Sequence, residues 1–175
     1  RRSCVVGGVS DAASPSRPAS RPERGAEVGR VAEMHRHTRW GLAVSGAFAI
    51  AAVVAALVPH DTGAWLPLHL FFVGSLTTAI ATVTLMLAVT WSTSPTPPRR
   101  IVTIQRWALT AGVVLVVAGR ESLHEGWTVV GGSLVAASLA VVAVLLIDVR
   151  RTAHTPRFAP AIEAYVLAIA GALVG

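Results

Sequence analysis

Residues 65–91 read WLPLHLFFVGSLTTAIATVTLMLAVTW. From Trp65 to Trp91 there is no Asp, Glu, Lys or Arg. That run exceeds the roughly 20 apolar residues an α-helix needs to cross a bilayer core of about 30 Å. In hydrocarbon every backbone N–H and C=O must be bonded within the segment, so a run of this kind becomes a helix. The tryptophan at each end suits a membrane–water interface, where the indole ring keeps an apolar face and a wet N–H.

Working outward, four more apolar runs flank this one: Trp40–Val58, about Ile101–Gly119, Trp127–Ile147, and a shorter run from about residue 160 to 175. The breaks carry turn chemistry: Pro59-His60-Asp61-Thr62-Gly63, Ser94-Pro95-Thr96-Pro97-Pro98, Gly119 to Gly126, and Thr155-Pro156. Each sits where a helical hairpin needs it. The expected fold class is all-α, a polytopic transmembrane bundle of about five helices. They are placed at about 40–58, 65–91, 101–119, 127–147 and 160–175, the last truncated in mid-span. A soluble core is the alternative for Val- and Thr-rich segments, but run length argues against it. So does composition. Apolar residues make up 53% of the chain and charged residues 14%, against about 45–50% and about 25% in soluble domains. The mean hydropathy is +0.62.

The first 35 residues differ from the rest. They are rich in Arg, Ser, Pro and Gly, and are expected to form a disordered basic tail ahead of a bundle domain over 36–175. The first methionine is Met34, just before Arg36, Arg39 and the first apolar run. A signal peptide starting there is the alternative reading. The run is long for a signal core and no small-x-small site closes it, which favours a retained first helix. The lone cysteine, Cys4, excludes an internal disulfide and a Cys-based zinc or iron–sulfur site within this sequence. The net charge is +6 and every basic residue is Arg. Nucleic acid is not the expected partner, because the arginines cluster between apolar runs rather than along one face. A G+C-rich coding bias accounts for the missing Lys.

Those clusters alternate. Arg36 and Arg39 precede the first run, Arg99 and Arg100 lie between the second and third, and Arg150, Arg151 and Arg157 lie between the fourth and fifth. The other two loops carry only Arg120, beside Asp61, Glu121 and Glu125. The positive-inside rule then predicts a multi-pass protein of the cell membrane with a cytoplasmic N-terminus, and five spans would send the chain outward after Gly175. Trp40, Trp65, Trp91 and Trp127 fall at the expected span ends.

The residue with the most chemical potential is His69, one turn into the second span. An ionisable side chain inside a span marks a functional site by default, and imidazole suits haem or copper. The competing reading is a packing histidine. On the same side of the membrane lie His60, Asp61, Arg120, Glu121, His124 and Glu125. His69, His60 and His124 are thus the candidate metal ligands, although their spacing matches no strong motif. His35 and His37 read as part of a basic, lipid-flanking segment. Gln105, Arg106 and Glu163 are polar residues near the inner ends of their helices, and Arg106 is expected to pair with Glu163. Gly74, Thr77, Thr78, Thr82 and Thr84, and likewise Gly131, Gly132, Ala136 and Ala137, form small-residue faces suited to close helix packing. Gly171 and Gly175 have GxxxG spacing. No phosphate loop, Ser/His/Asp series or Cys nucleophile is visible, so no catalytic residue is assigned.

Several segments together carry a resemblance. They are Trp65-Leu-Pro-Leu-His69-Leu-Phe-Phe-Val-Gly74-Ser-Leu-Thr-Thr-Ala-Ile80, Ala88-Val-Thr-Trp91 followed by Pro95-Thr-Pro-Pro-Arg99, Gln105-Arg106-Trp107, and Gly119-Arg120-Glu121. Their order resembles the N-terminal membrane region of actinobacterial copper oxidases of the multicopper oxidase and copper nitrite reductase type, over roughly residues 36–175. His69 followed by Gly74 is also similar to the His-bearing helices of haem–copper membrane proteins. The resemblance implies a membrane segment that precedes exported cupredoxin domains. The His-Cys-His-Met copper ligands of such domains are absent here, so copper oxidase activity is implied only for a longer parent.

Three functions therefore stand. The first is an integral-membrane anchor, with possible electron entry, for a copper oxidoreductase whose catalytic domains lie beyond this chain. The second is a haem- or copper-binding membrane redox protein using His69. The third is a cofactor-free accessory or transporter-like bundle. The bilayer is the partner common to all three.

Overall fold

The computed structural model of the chain describes residues 21–59, 62–92, 94, 96–153 and 159–174. Those residues are all-α, with no strand among them. Helix α1 is Arg21–Leu57, α2 Trp65–Ser92, α3 Arg99–Glu121, α4 Glu125–Thr152 and α5 Ala159–Val174. In α1 the apolar part is His35–Leu57; it and α2, α3 and α4 are long and apolar enough to cross a membrane, while α5 is shorter. At 1.5 Å per residue, α2 and α4 are each roughly 42 Å long, which exceeds the hydrocarbon core and requires tilt or protrusion.

The helix ends fall within a few residues of those expected, except at the start of α1. There the backbone is helical from Arg21, well before residue 36. Glu, Arg and Ala dominate 21–33 and are good helix formers. Continuing an existing helix also avoids the cost of nucleating one. The rest of the expected tail, 1–20, lies outside the described residues.

The surface is inverted relative to a water-soluble protein. Ile50, Ile104, Val144 and Leu167 are 62–71% exposed, while Ser45, Ser75, Thr84, Ser92, Gln105 and Ser138 are buried. A bilayer covers the first group. Ser45, Ser75, Ser92, Gln105 and Ser138 are bonded internally, as hydrocarbon favours, whereas the buried Thr78 hydroxyl has no partner among the described residues.

Three contacts organise the bundle. The α3–α4 hairpin is the tightest. A Cβ on Gly112 would sit 2.9 Å from the Gly131 carbonyl oxygen, and one on Gly119 would sit 2.6 Å from the Thr128 backbone nitrogen. Only glycine lets the two backbones approach so closely. Across the same seam Gln105 Nε2 donates to Ser138 Oγ at 2.9 Å, and Ser138 Oγ donates back to the Gln105 carbonyl at 2.9 Å. Second, α1 lies on α2. Ser45 Oγ donates to the Ser75 carbonyl at 2.9 Å, and Gly74 makes room for the Phe48 ring. Third, Leu85, Ala88 and Val89 of α2, Val142, Leu145, Leu146 and Val149 of α4 and Ile162 of α5 form one apolar core. Ser94 Oγ closes that end by donating to the Val149 carbonyl at 3.0 Å.

The antiparallel course brings Arg36, Arg39, Arg99, Arg100, Arg150 and Arg151 to one end of the bundle, hereafter the basic end. The opposite end holds Thr62, His69, Arg120, Glu121 and His124. Two backbone departures shape that opposite end. Residues Leu70–Leu76 of α2 form a π turn, where the Thr77 backbone N–H donates to the Phe72 carbonyl and the Thr77 hydroxyl joins it at 2.9 Å. In the α3–α4 loop Leu123 has φ 57°. The His124 N–H bonds the Gly119 carbonyl and the Leu123 N–H the Arg120 carbonyl, a Schellman closure in which leucine occupies the position usually given to glycine.

Candidate functional site

His69 is the last residue before the π turn and is partly buried. Its Nδ1 lies 2.9 Å from the Trp65 carbonyl oxygen. A carbonyl only accepts, so Nδ1 carries the proton and Nε2 holds the lone pair. The imidazole also stacks on the Trp65 ring, with centroids 3.9 Å apart and planes inclined by 25°. The guanidinium of Arg120 sits over the same indole, 5.7 Å from its centroid, within cation–π range. Next to Arg120, Glu121 accepts a 2.5 Å hydrogen bond from Thr62 Oγ1. The end of α3 and the start of α2 are thereby tied together through His69, Trp65, Arg120, Glu121 and Thr62.

His124 is at this end too, but in a different setting. It is exposed, its Nδ1 donates to the Ser122 carbonyl at 2.8 Å, and its ring lies 5.7 Å from that of Trp127. His60 and Asp61 lie outside the described residues. Among the described residues no group of three or more His, Cys, Asp or Glu is close enough to hold a metal ion. His69 and His124 by themselves fall short of the three or four ligands of a protein-closed copper site.

The polar residues of the basic half are arranged differently from expectation. Glu163 pairs with Arg150, at 2.5 Å, and not with Arg106. Arg150 is in the last turn of α4 and Glu163 in the first turns of α5. The short connection between them brings the two together, whereas Arg106 lies on α3, and α5 packs chiefly on α4. Of the small-residue faces, Gly74, Thr78, Thr84 and Gly131 are buried at helix contacts, while Gly132 and Gly171 face open space. Gly175 lies outside the described residues.

Sequence reasoning missed three features: Ser138 as the partner of Gln105, the π turn, and the Gly112/Gly119 seam. The last had a usable signal, since two glycines seven residues apart share one helix face. The π turn had none.

Comparison with protein-family models, curated proteins and solved structures returns no match.

Proposed function

We propose that the chain is the membrane anchor of an exported copper oxidoreductase. The observation that carries the anchor role is the bundle itself: four apolar helices long enough to cross a membrane, wrapped in an exposed apolar surface. The arginines gathered at one end support a cytoplasmic basic end, and hence a cytoplasmic N-terminus. The copper assignment rests on the resemblance of residues 65–80, 88–99, 105–107 and 119–121 to the membrane region of such oxidases. The test is to follow the reading frame past the Gly175 codon and to assay copper in the protein isolated from native membranes. A downstream His-Cys-His-Met pattern with bound copper is expected. A stop codon, or a continuation without copper ligands, would overturn the assignment.

A second reading is favoured by one observation, the bond from His69 Nδ1 to the Trp65 carbonyl. That bond fixes the ring and leaves Nε2 as the ligating atom, the arrangement usual for metal-bound histidine. In this reading His69 is an axial haem ligand or one member of a copper set that also takes His124 and His60. Metal analysis of wild-type and His69→Gln protein tests it. Loss of metal from an inserted variant is expected; metal absent from both, with equal stability, refutes it.

A further inference from the structure

Two cavities meet at the basic end. One, of about 410 Å³, opens between α1 and α3 and is lined by Arg36, Trp40, Arg99, Arg106 and Trp107 among others. The other, of about 290 Å³, lies behind it against α2 and shares Arg99 and Arg106 with it. Among the described residues, neither lining contains Asp or Glu. Three guanidiniums, those of Arg36, Arg99 and Arg106, line this space.

The placement along the membrane normal is specific. Arg99 opens α3 and Arg106 lies two turns further in, roughly 10 Å along the axis. Thr103 and Thr110 continue the same side of the groove. Trp40 and Trp107, 66% and 69% exposed, stand on its two walls. A soluble anion would use the arginines but not the two indoles or the apolar floor at Val44. A lipid uses all of them.

We propose that this groove is a binding site for an anionic phospholipid. The phosphate lies against Arg36 and Arg99, Arg106 reaches up to it from deeper in the bilayer, and the acyl chains run past Trp40, Trp107 and Val44. The proposal rests on the membrane fold alone and is independent of the copper assignment.

The full chain would be reconstituted in phosphatidylcholine vesicles with or without phosphatidylglycerol. Co-purified lipid would be counted by native mass spectrometry, and the melting temperature recorded. Wild type is expected to retain phosphatidylglycerol selectively and to melt higher in its presence. Each arginine near an anionic headgroup is worth roughly fivefold in retention, so Arg36→Gln/Arg106→Gln should lose roughly 25-fold. Arg36→Gln alone, at an exposed position, should lose roughly fivefold without altering the fold. Arg100→Gln/Arg151→Gln removes two arginines of the same end that line neither cavity and should retain the lipid. Equal retention by wild type and the groove variants would overturn the proposal. So would an equal loss from the control variant, which would indicate diffuse surface attraction. A melting shift reproduced by inorganic phosphate in phosphatidylcholine vesicles would overturn the lipid assignment in favour of a soluble anion.

Discussion

Replacing Gly131 with alanine would put a Cβ 2.6 Å from the backbone nitrogen of Val116, 2.7 Å from the Gly112 carbonyl oxygen and 2.9 Å from Leu115 Cβ. Two of these are backbone atoms of α3 and cannot rotate away. The α3–α4 pair must separate, and a gap of roughly 0.5–1 Å already forfeits a quarter to a half of each dispersion contact. Overpacking of this kind costs about 1–3 kcal/mol. The Gln105–Ser138 pair spans the same seam, and each strained intramembrane hydrogen bond adds about 0.6 kcal/mol. A total loss of about 2–4 kcal/mol is expected. The neighbouring Gly132 has no atom within 4 Å of its Cβ position, so Gly132→Ala should be neutral, or gain up to about 1 kcal/mol from helix propensity. Both variants would be unfolded from mild detergent by increasing dodecyl sulfate and followed by circular dichroism. Equal unfolding midpoints for the two would refute the close-approach argument.

The remaining predictions concern topology, the buried polar pair and the strained loop. In a Cys4→Ser background, single cysteines at Thr62 and Leu123 should react with an impermeant thiol reagent applied outside cells, and those at Thr96 and Ala153 should not; external labelling at Thr96 would sink the orientation. Ser138→Ala strands the side-chain amide nitrogen of Gln105, removes the second donor to its backbone carbonyl and should cost about 1–2 kcal/mol, whereas Gln105→Leu/Ser138→Ala should cost less than the two single changes together; strict additivity in the unfolding midpoints would show the pair to be uncoupled. Leu123→Gly relieves a left-handed backbone at an exposed position and should stabilise the bundle by about 1 kcal/mol, with a lower midpoint counting against the strain.

Hydropathy and proline made the spans legible, because length in hydrocarbon and the loss of backbone donors act on sequence directly. Trp65, Trp91 and Trp127 mark helix ends for the same reason. Pairing was harder to read. Arg106 with Glu163 was a plausible match by charge and depth, but the short connection after Thr152 delivers Glu163 to Arg150 instead. His69 could be singled out from its place in a span. That its neighbour would be Trp65, one turn back on the same helix, was available from i, i+4 spacing; that Arg120 would cover Trp65 depends on how α3 leans on α2. The π turn could not be read at all, since apolar character does not report backbone phase.

That turn has a consequence for how this protein can change. A π turn accommodates one residue more than an α turn, so Trp65 and His69 stand about 100° around the axis from where an uninterrupted α-helix would put them. Gly74 and Ser75 hold the rest of α2 in register with Phe48 and Ser45. Deleting one of Phe71, Phe72 or Val73, which precede those anchors, would keep that register and swing the histidine away from Arg120. Residue count in a featureless apolar stretch, rather than any polar side chain, therefore sets whether the histidine end is assembled, and a one-codon deletion there would dismantle the site while leaving every one of its residues in place.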